Sequence, residues 1–191
     1  MATLGKRLIL LMLMLISLGA CQKEFGPQSV NGSEVVPDST LAIIVNEGNF
    51  QWGNASLGQF DPEEGIYQDG LFRQANAQPL GDVIQEAHKI GDRYYLVMNG
   101  SNELVICNAD WTELKSSPGL GAPKNLWFWQ GSLWMSDLYK PKLQELDLDG
   151  NLIAHKNLNG IPNSLCSWRN QLLLVYPSQV ESIVAPNAVP Q

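Results

Sequence analysis

Three segments of this chain align at a constant step of 39 residues: 90–99 (IGDRYYLVMN), 129–138 (WQGSLWMSDL) and 168–177 (WRNQLLLVYP). Each opens with a polar turn and continues into a short apolar strand. Pro123 and Pro162 keep the same step, as do Leu104 and Leu143. A fixed period of this length marks a structural unit that cannot bury its own apolar faces and must stack on its neighbours.

Within a unit the pattern reads strand, Gly/Asn turn, strand, turn, strand. Residues 104–107 and 143–148 are third strands, each followed by a turn, and Asp149-Gly150 is a clear hairpin signal. Residues 111–114 and 152–158 are weaker fourth strands. Residues 83–90 are ambiguous, and nothing beyond the first 20 residues shows a convincing helical period. Four short strands per roughly 40 residues predict a blade of a β-propeller. A sandwich or barrel is the competing all-β architecture, but it has no reason to hold a constant step.

The first unit begins mid-blade. Residues 41–45 read as a second strand, 56–60 as a third and 66–72 as a fourth, with no first strand before them. The last unit loses its pattern over residues 180–191. The expected fold is therefore an all-β, partial β-propeller of about three to four four-stranded blades. The expected segments are 41–178 for the propeller and 179–191 for an irregular tail. The chain reads as a shortened version of a longer propeller; assembly of several chains into a ring is the alternative.

The N-terminus carries a different signal. Lys6 and Arg7 precede an apolar run over residues 8–18. That run falls short of the roughly 20 residues a bilayer span needs, and its layout is that of a secretory signal peptide. It ends Leu18-Gly19-Ala20-Cys21, which resembles a bacterial lipobox. Residues 1–20 would be removed and Cys21 lipidated, fixing the protein to the outer membrane or cell surface. Two or three acyl chains hold firmly, at about 0.8 kcal/mol per buried methylene. Residues 21–40, rich in Ser, Pro, Gly, Asn and Glu, read as a flexible tether.

Loss of the signal removes Lys6 and Arg7 and leaves ten basic against 19 acidic residues. That balance excludes nucleic acid as a partner, since phosphate binding needs a basic face. It also excludes electrostatic docking on anionic lipid. Cys107 and Cys166 fall on strands of non-adjacent blades, so two buried free thiols fit better than a disulfide. Asp61, Glu63, Glu64, Glu145, Asp147 and Asp149 sit at hairpins and read as solvated turns. His88 and His155 have no metal-ligand spacing around them. There is no G-x-S-x-G and no phosphate loop. No catalytic residue, metal or cofactor is expected.

Strand order puts the loops between second and third strands (46–54, 99–102, 137–141, 176–179) on one side with the blade-to-blade connections (78–82, 121–125, 160–163). The candidate ligand-binding residues on that face are Asn46, Asn49, Trp52, Asn54, Asn99, Lys124, Asp137, Tyr139 and Tyr176, with Asn163 beside them. Amides and aromatics with few charges suit a large polar ligand or a glycan. The competing role for the Asn residues is to form tight turns. Trp127, Trp129 and Trp134 lie in or beside strands and are expected in the core.

Residues 45–50 (VNEGNF), joined by 53–57 (GNASL), 60–62 (FDP) and 79–83 (PLGDV), resemble the YncE-like surface lipoproteins of Bacteroidetes. Gln22-Lys23-Glu24 resembles their surface-export signal, and Asp38-Ser39-Thr40 their O-glycosylation site. The resemblance implies a seven-bladed ring, of which this chain covers about half. Some relatives are similar to cobalamin-binding surface propellers. That implies capture of a corrinoid for a TonB-dependent outer-membrane transporter, without catalysis. A propeller-type hydrolase or lyase fragment, or a non-functional remnant, is the alternative.

Overall fold

The computed structural model describes residues 41–184. The signal peptide, Cys21, the tether and residues 185–191 lie outside the described residues. Four antiparallel sheets follow one another along the chain. The first holds β1 (Ala42–Asn46), β2 (Ser56–Asp61) and β3 (Ile66–Gln68), followed by a short helix α1 (Leu71–Asn76). The second holds β4 (Ile84–Ile90), β5 (Arg93–Met98), β6 (Glu103–Cys107) and β7 (Glu113–Pro118). The third holds β8 (Pro123–Trp129), β9 (Ser132–Asp137), β10 (Lys142–Leu146) and β11 (Leu152–Asn157). The fourth holds β12 (Ser164–Trp168), β13 (Gln171–Val175) and β14 (Val180–Val184).

Each sheet is a meander, and strand register reproduces the sequence repeat. Tyr95 pairs with His88, Trp134 with Trp127 and Leu173 with Cys166, so the three aligned residues hold matching places in successive sheets. The pleat sends alternate residues of a strand to opposite faces. On β5, Leu96 and Met98 pack toward the first sheet, while Tyr95 and Val97 pack toward the third. Three apolar clusters result, one in each gap between neighbouring sheets. Trp129 is buried in the third gap, with Trp127 and Trp134 packed against it, as their strand positions required.

The hairpin after β10 adds a polar latch between sheets. Arg93 donates to Asp149 at 2.7 Å and the Tyr95 hydroxyl to the Leu148 carbonyl at 3.0 Å. The four sheets form an open arc among the described residues, a partial β-propeller.

Three strand expectations are corrected. The fourth strand of the second unit, expected over 111–114, is β7 at Glu113–Pro118, because Trp111, at φ 70°, turns before the strand and packs into the first cluster. The fourth strand of the first unit, expected to run to Phe72, stops at Gln68. Gly70, at φ 73°, turns the chain off the sheet, and α1 drives Leu71 and Phe72 into the first gap. A six-residue helix is too short to print a period in the sequence. Residues 180–184, expected in the irregular tail, form the third strand of the fourth sheet. Val180 pairs with Val175, as Leu143 pairs with Ser136 and Leu104 with Val97. The hairpin is two residues shorter, so the step from Leu143 to Val180 is 37 rather than 39.

Cys107 and Cys166 are both free thiols, but only Cys107 is buried as expected; Cys166 is half-buried. Burial, with Glu113 and Asp110 nearby, pushes the Cys107 thiol up to about 12. Of the hairpin acids, Asp61 and Asp147 are turn formers, whereas Glu145 lies within β10 and accepts from Ser132 Oγ at 2.8 Å, and Asp149 is bonded to Arg93. Asp61 accepts the Glu63 and Glu64 amides, and Asp147 accepts those of Asp149 and Asn151.

Candidate functional site

The loops between second and third strands are clamped to the connections between sheets by backbone hydrogen bonds. The Asn99 amide donates to Val83 (2.8 Å), the Leu138 amide to Ala122 (2.8 Å) and the Asn163 amide to Val175 (2.7 Å). In the first sheet the Ile84 amide donates to Glu47 (3.1 Å) and the Ala55 amide to Gly81 (3.3 Å). The two loop sets therefore make one connected face. Every bond that fixes the face also uses up groups a ligand would need.

Several of the sequence-derived residues are consumed in this way. Asp137 is 1 % exposed. Its Oδ1 accepts the Tyr139 and Lys140 amides and its Oδ2 the Ala122 amide, so it shapes a loop rather than facing solvent. The Asn99 side chain donates to the Pro123 carbonyl at 2.8 Å and Lys124 to the Pro162 carbonyl at 3.3 Å. Both stitch one sheet to the next. The Asn163 carbonyl accepts from the Asn125 side chain at 3.2 Å. Tyr176 packs on the third cluster, and its hydroxyl donates to Glu181 at 3.3 Å; burial first, and Glu181 second, raise its pKa. The Asn49 amide donates to Asn54 Oδ1 at 2.7 Å, closing the 46–54 loop.

Two predicted residues stand clear of the protein. Trp52 is 76 % exposed and Tyr139 73 %. Phe50, which the sequence reading passed over, is 67 % exposed beside Trp52. Their loops are held by bonds to the main chain, so the rings are presented on a fixed base.

At the first-sheet end the face is indented by a cavity of about 310 Å³. It is lined by Asn54, Ser56, Asp69 and Arg73 above the apolar side chains of Leu57, Phe72, Pro79 and Leu80. Asn46, a predicted residue, lies behind it and donates to Ser56 (2.9 Å), Tyr67 (3.1 Å) and Asp69 (3.3 Å). The cavity residues after Gln68 went unread because α1 breaks the repeat. The one trace of it in the sequence is Gly70 closing a strand that should have continued.

A second cavity, of about 330 Å³, opens where the β10–β11 hairpin meets the second sheet. Its Arg93 and Asp149 are bonded to each other. Among the described residues no group of three or more His, Cys, Asp and Glu side chains could hold a metal ion. Among the described residues the His88 ring bonds to Glu86 at 2.9 Å, and Glu86 also accepts the Leu126 amide.

Fold and face together define a partial β-propeller with a loop-built face that a cavity indents at the first-sheet end. A family model described as a domain of unknown function, DUF5074, matches residues 42–131. No curated protein matches the sequence. Among solved structures the chain resembles the computationally designed Ika8 protein, with a TM-score of 0.55 and 11 % identity over 76 % of this chain and 43 % of that one. It also resembles a streptogramin B lyase, with a TM-score of 0.50 and 10 % identity over 78 % of this chain and 60 % of that one. The computationally designed Ika4 protein scores 0.50 at 12 % identity, over 68 % of this chain and 79 % of that one. The chain thus spans less than half the length of the designed Ika8 protein. At these identities the likenesses speak for the fold alone.

Proposed function

We propose that this chain is a lipid-anchored ligand-binding propeller that captures a large polar ligand on its loop face and does no chemistry on it. The observation that carries this reading is the pairing of exposed aromatic rings, Trp52 and Tyr139, with loops locked to the scaffold. A ring on a fixed base loses little entropy on binding and offers a stacking surface with polar neighbours. The resemblance of residues 45–57 to surface lipoproteins makes a corrinoid the first ligand to test. It also makes a TonB-dependent transporter the receiving partner and Cys21 the anchor. The test is titration of the purified chain with cyanocobalamin, following tryptophan fluorescence. Saturable quenching at micromolar ligand that is lost in Trp52→Ala supports corrinoid capture. A flat titration removes it.

A further inference from the structure

We infer that the cavity beside Arg73 is a subsite for one sugar ring; this deepens, and rests on, the reading of the loop face as a binding surface. The volume of about 310 Å³ lies at the small end of ligand pockets, which run roughly 300–1,000 Å³. That size suits a monosaccharide unit and is far too small for a whole corrinoid.

The rim is prepared for hydroxyl groups. Asp69 Oδ1 accepts from the Gly70 amide (2.7 Å), Ser56 Oγ (2.9 Å) and Asn46 Nδ2 (3.3 Å). Three donors fix the carboxylate, while Oδ2 receives no hydrogen bond among the described residues. Asn54 spends its Oδ1 on the Asn49 amide and keeps its two N–H donors. The Arg73 guanidinium has no bonded partner among the described residues. Free acceptor and free donors therefore line one cavity without pairing to each other.

A sugar hydroxyl donates and accepts at once, so it can bridge a carboxylate oxygen and an amide or guanidinium N–H. Bonds to charged groups are the stronger kind. Asp69 and Arg73 cancel in charge, which favours a neutral ligand over an anion. Pro79, exposed on the cavity wall, offers an apolar surface for the C–H face of a pyranose, while Leu57, Phe72 and Leu80 close the cavity from behind as buried core residues. Phe50 and Trp52, on the loop that ends at Asn54, extend a stacking surface to further rings of a glycan. A zwitterionic amino acid would also match one carboxylate and one guanidinium. Both groups are exposed, however, and exposed ion pairs contribute little. Hydroxyl recognition uses more of what is present.

The test is saturation-transfer NMR on the full chain with methyl glycosides of glucose, galactose, mannose and N-acetylglucosamine, with glycine and alanine as zwitterionic controls. At least one glycoside is expected to bind. Asp69→Asn and Arg73→Gln should each weaken it about tenfold or more, the loss of one hydrogen bond to a charged group. Asn at position 69 keeps the Oδ1 acceptor, and unchanged thermal melting confirms the fold in both variants. Cyanocobalamin quenching in the same variants should be unaffected, so failure of the corrinoid reading registers separately from failure of this one. Three results overturn the subsite: no glycoside binds, glycine or alanine displaces the glycoside, or both variants bind it as the parent does.

Discussion

Leu104, Leu143 and Val180 occupy the same place in the second, third and fourth sheets, as their pairings with Val97, Ser136 and Val175 establish. Leu104 and Leu143 are each 0 % exposed because a following sheet covers them; Val180 is 59 % exposed. Truncation to alanine should therefore give very different costs at one repeated position. A buried Leu→Ala change removes transfer free energy and leaves a cavity, together about 2–5 kcal/mol. Val180→Ala removes two methylene equivalents at about 0.8 kcal/mol each, scaled to the two-fifths that is buried, or about 0.7 kcal/mol. Urea unfolding followed by far-UV circular dichroism reads the difference as a shift in midpoint at constant slope. Val180→Ala costing as much as Leu143→Ala would show the fourth sheet's outer face to be covered in solution. Leu104→Ala costing under about 1 kcal/mol would refute sheet stacking as the source of the core.

Gly150 holds φ 74°, and a Cβ there would come 2.5 Å from Ser117 Oγ. Gly150→Ala should therefore cost the left-handed penalty of about 1–2 kcal/mol and loosen the latch onto the second sheet, seen as a lower melting temperature. Asp147 is held below the usual carboxylate range by the Asn151 side chain and by the backbone amides of Asn151 and Asp149. Its folded pKa is depressed, so its contribution is present above the ordinary Asp value near 3.9 and is lost as pH falls through the lowered value. Asp147→Asn should flatten the loss of stability in that acid range, measured by urea midpoints at successive pH values. The Cys107 thiol, pushed up to about 12 by burial, should resist alkylation in the folded chain while Cys166 reacts, as peptide mass spectrometry would register. Its raised pKa also means that stability falls between the ordinary thiol range and about 12. On the proposed lipid anchor, Cys21→Ser should move the protein from the membrane to the soluble fraction, read by fractionation and immunoblot, and an unchanged distribution would refute that anchor.

The fold was legible where the period held and illegible where it broke. Tyr95, Trp134 and Leu173 could be placed because stacking repeats one environment, and the same environment selects an apolar residue each time. β14 was hidden because a hairpin two residues shorter moved Val180 off the step. α1 was hidden because six residues cannot display a helical period. The signal and the tether rest on the sequence alone.

The same division explains which candidate residues stayed available for a ligand. Asn99, Lys124, Asp137 and Asn163 belong to the repeating joints, and each is spent there: Asn99 and Lys124 on the carbonyls of Pro123 and Pro162, Asp137 on the Ala122 amide, Asn163 on Asn125 and Val175. The residue types change at the 39-residue step (Asn99 to Leu138, Lys124 to Asn163, Asp137 to Tyr176), but the joint recurs, as the Asn99–Val83 and Leu138–Ala122 backbone bonds show, and a polar residue placed at such a joint has its hydrogen bonds committed to the sheet. Asp69 and Arg73 lie in a segment of the first sheet that has no counterpart in the later ones, and Trp52 and Asn54 lie in the longest of the loops between second and third strands; these keep exposed surface or unpaired donors and acceptors, as does Tyr139 at the tip of its own loop. In a stacked-repeat chain, then, period identifies what holds the scaffold, and departure from period is the better guide to what meets a ligand. Exchanging Asn99 for Ala should accordingly lower stability and leave glycoside affinity alone, while Arg73→Gln should lower glycoside affinity and leave stability alone. If both substitutions moved stability and affinity together, scaffold and site would not be separable along this line.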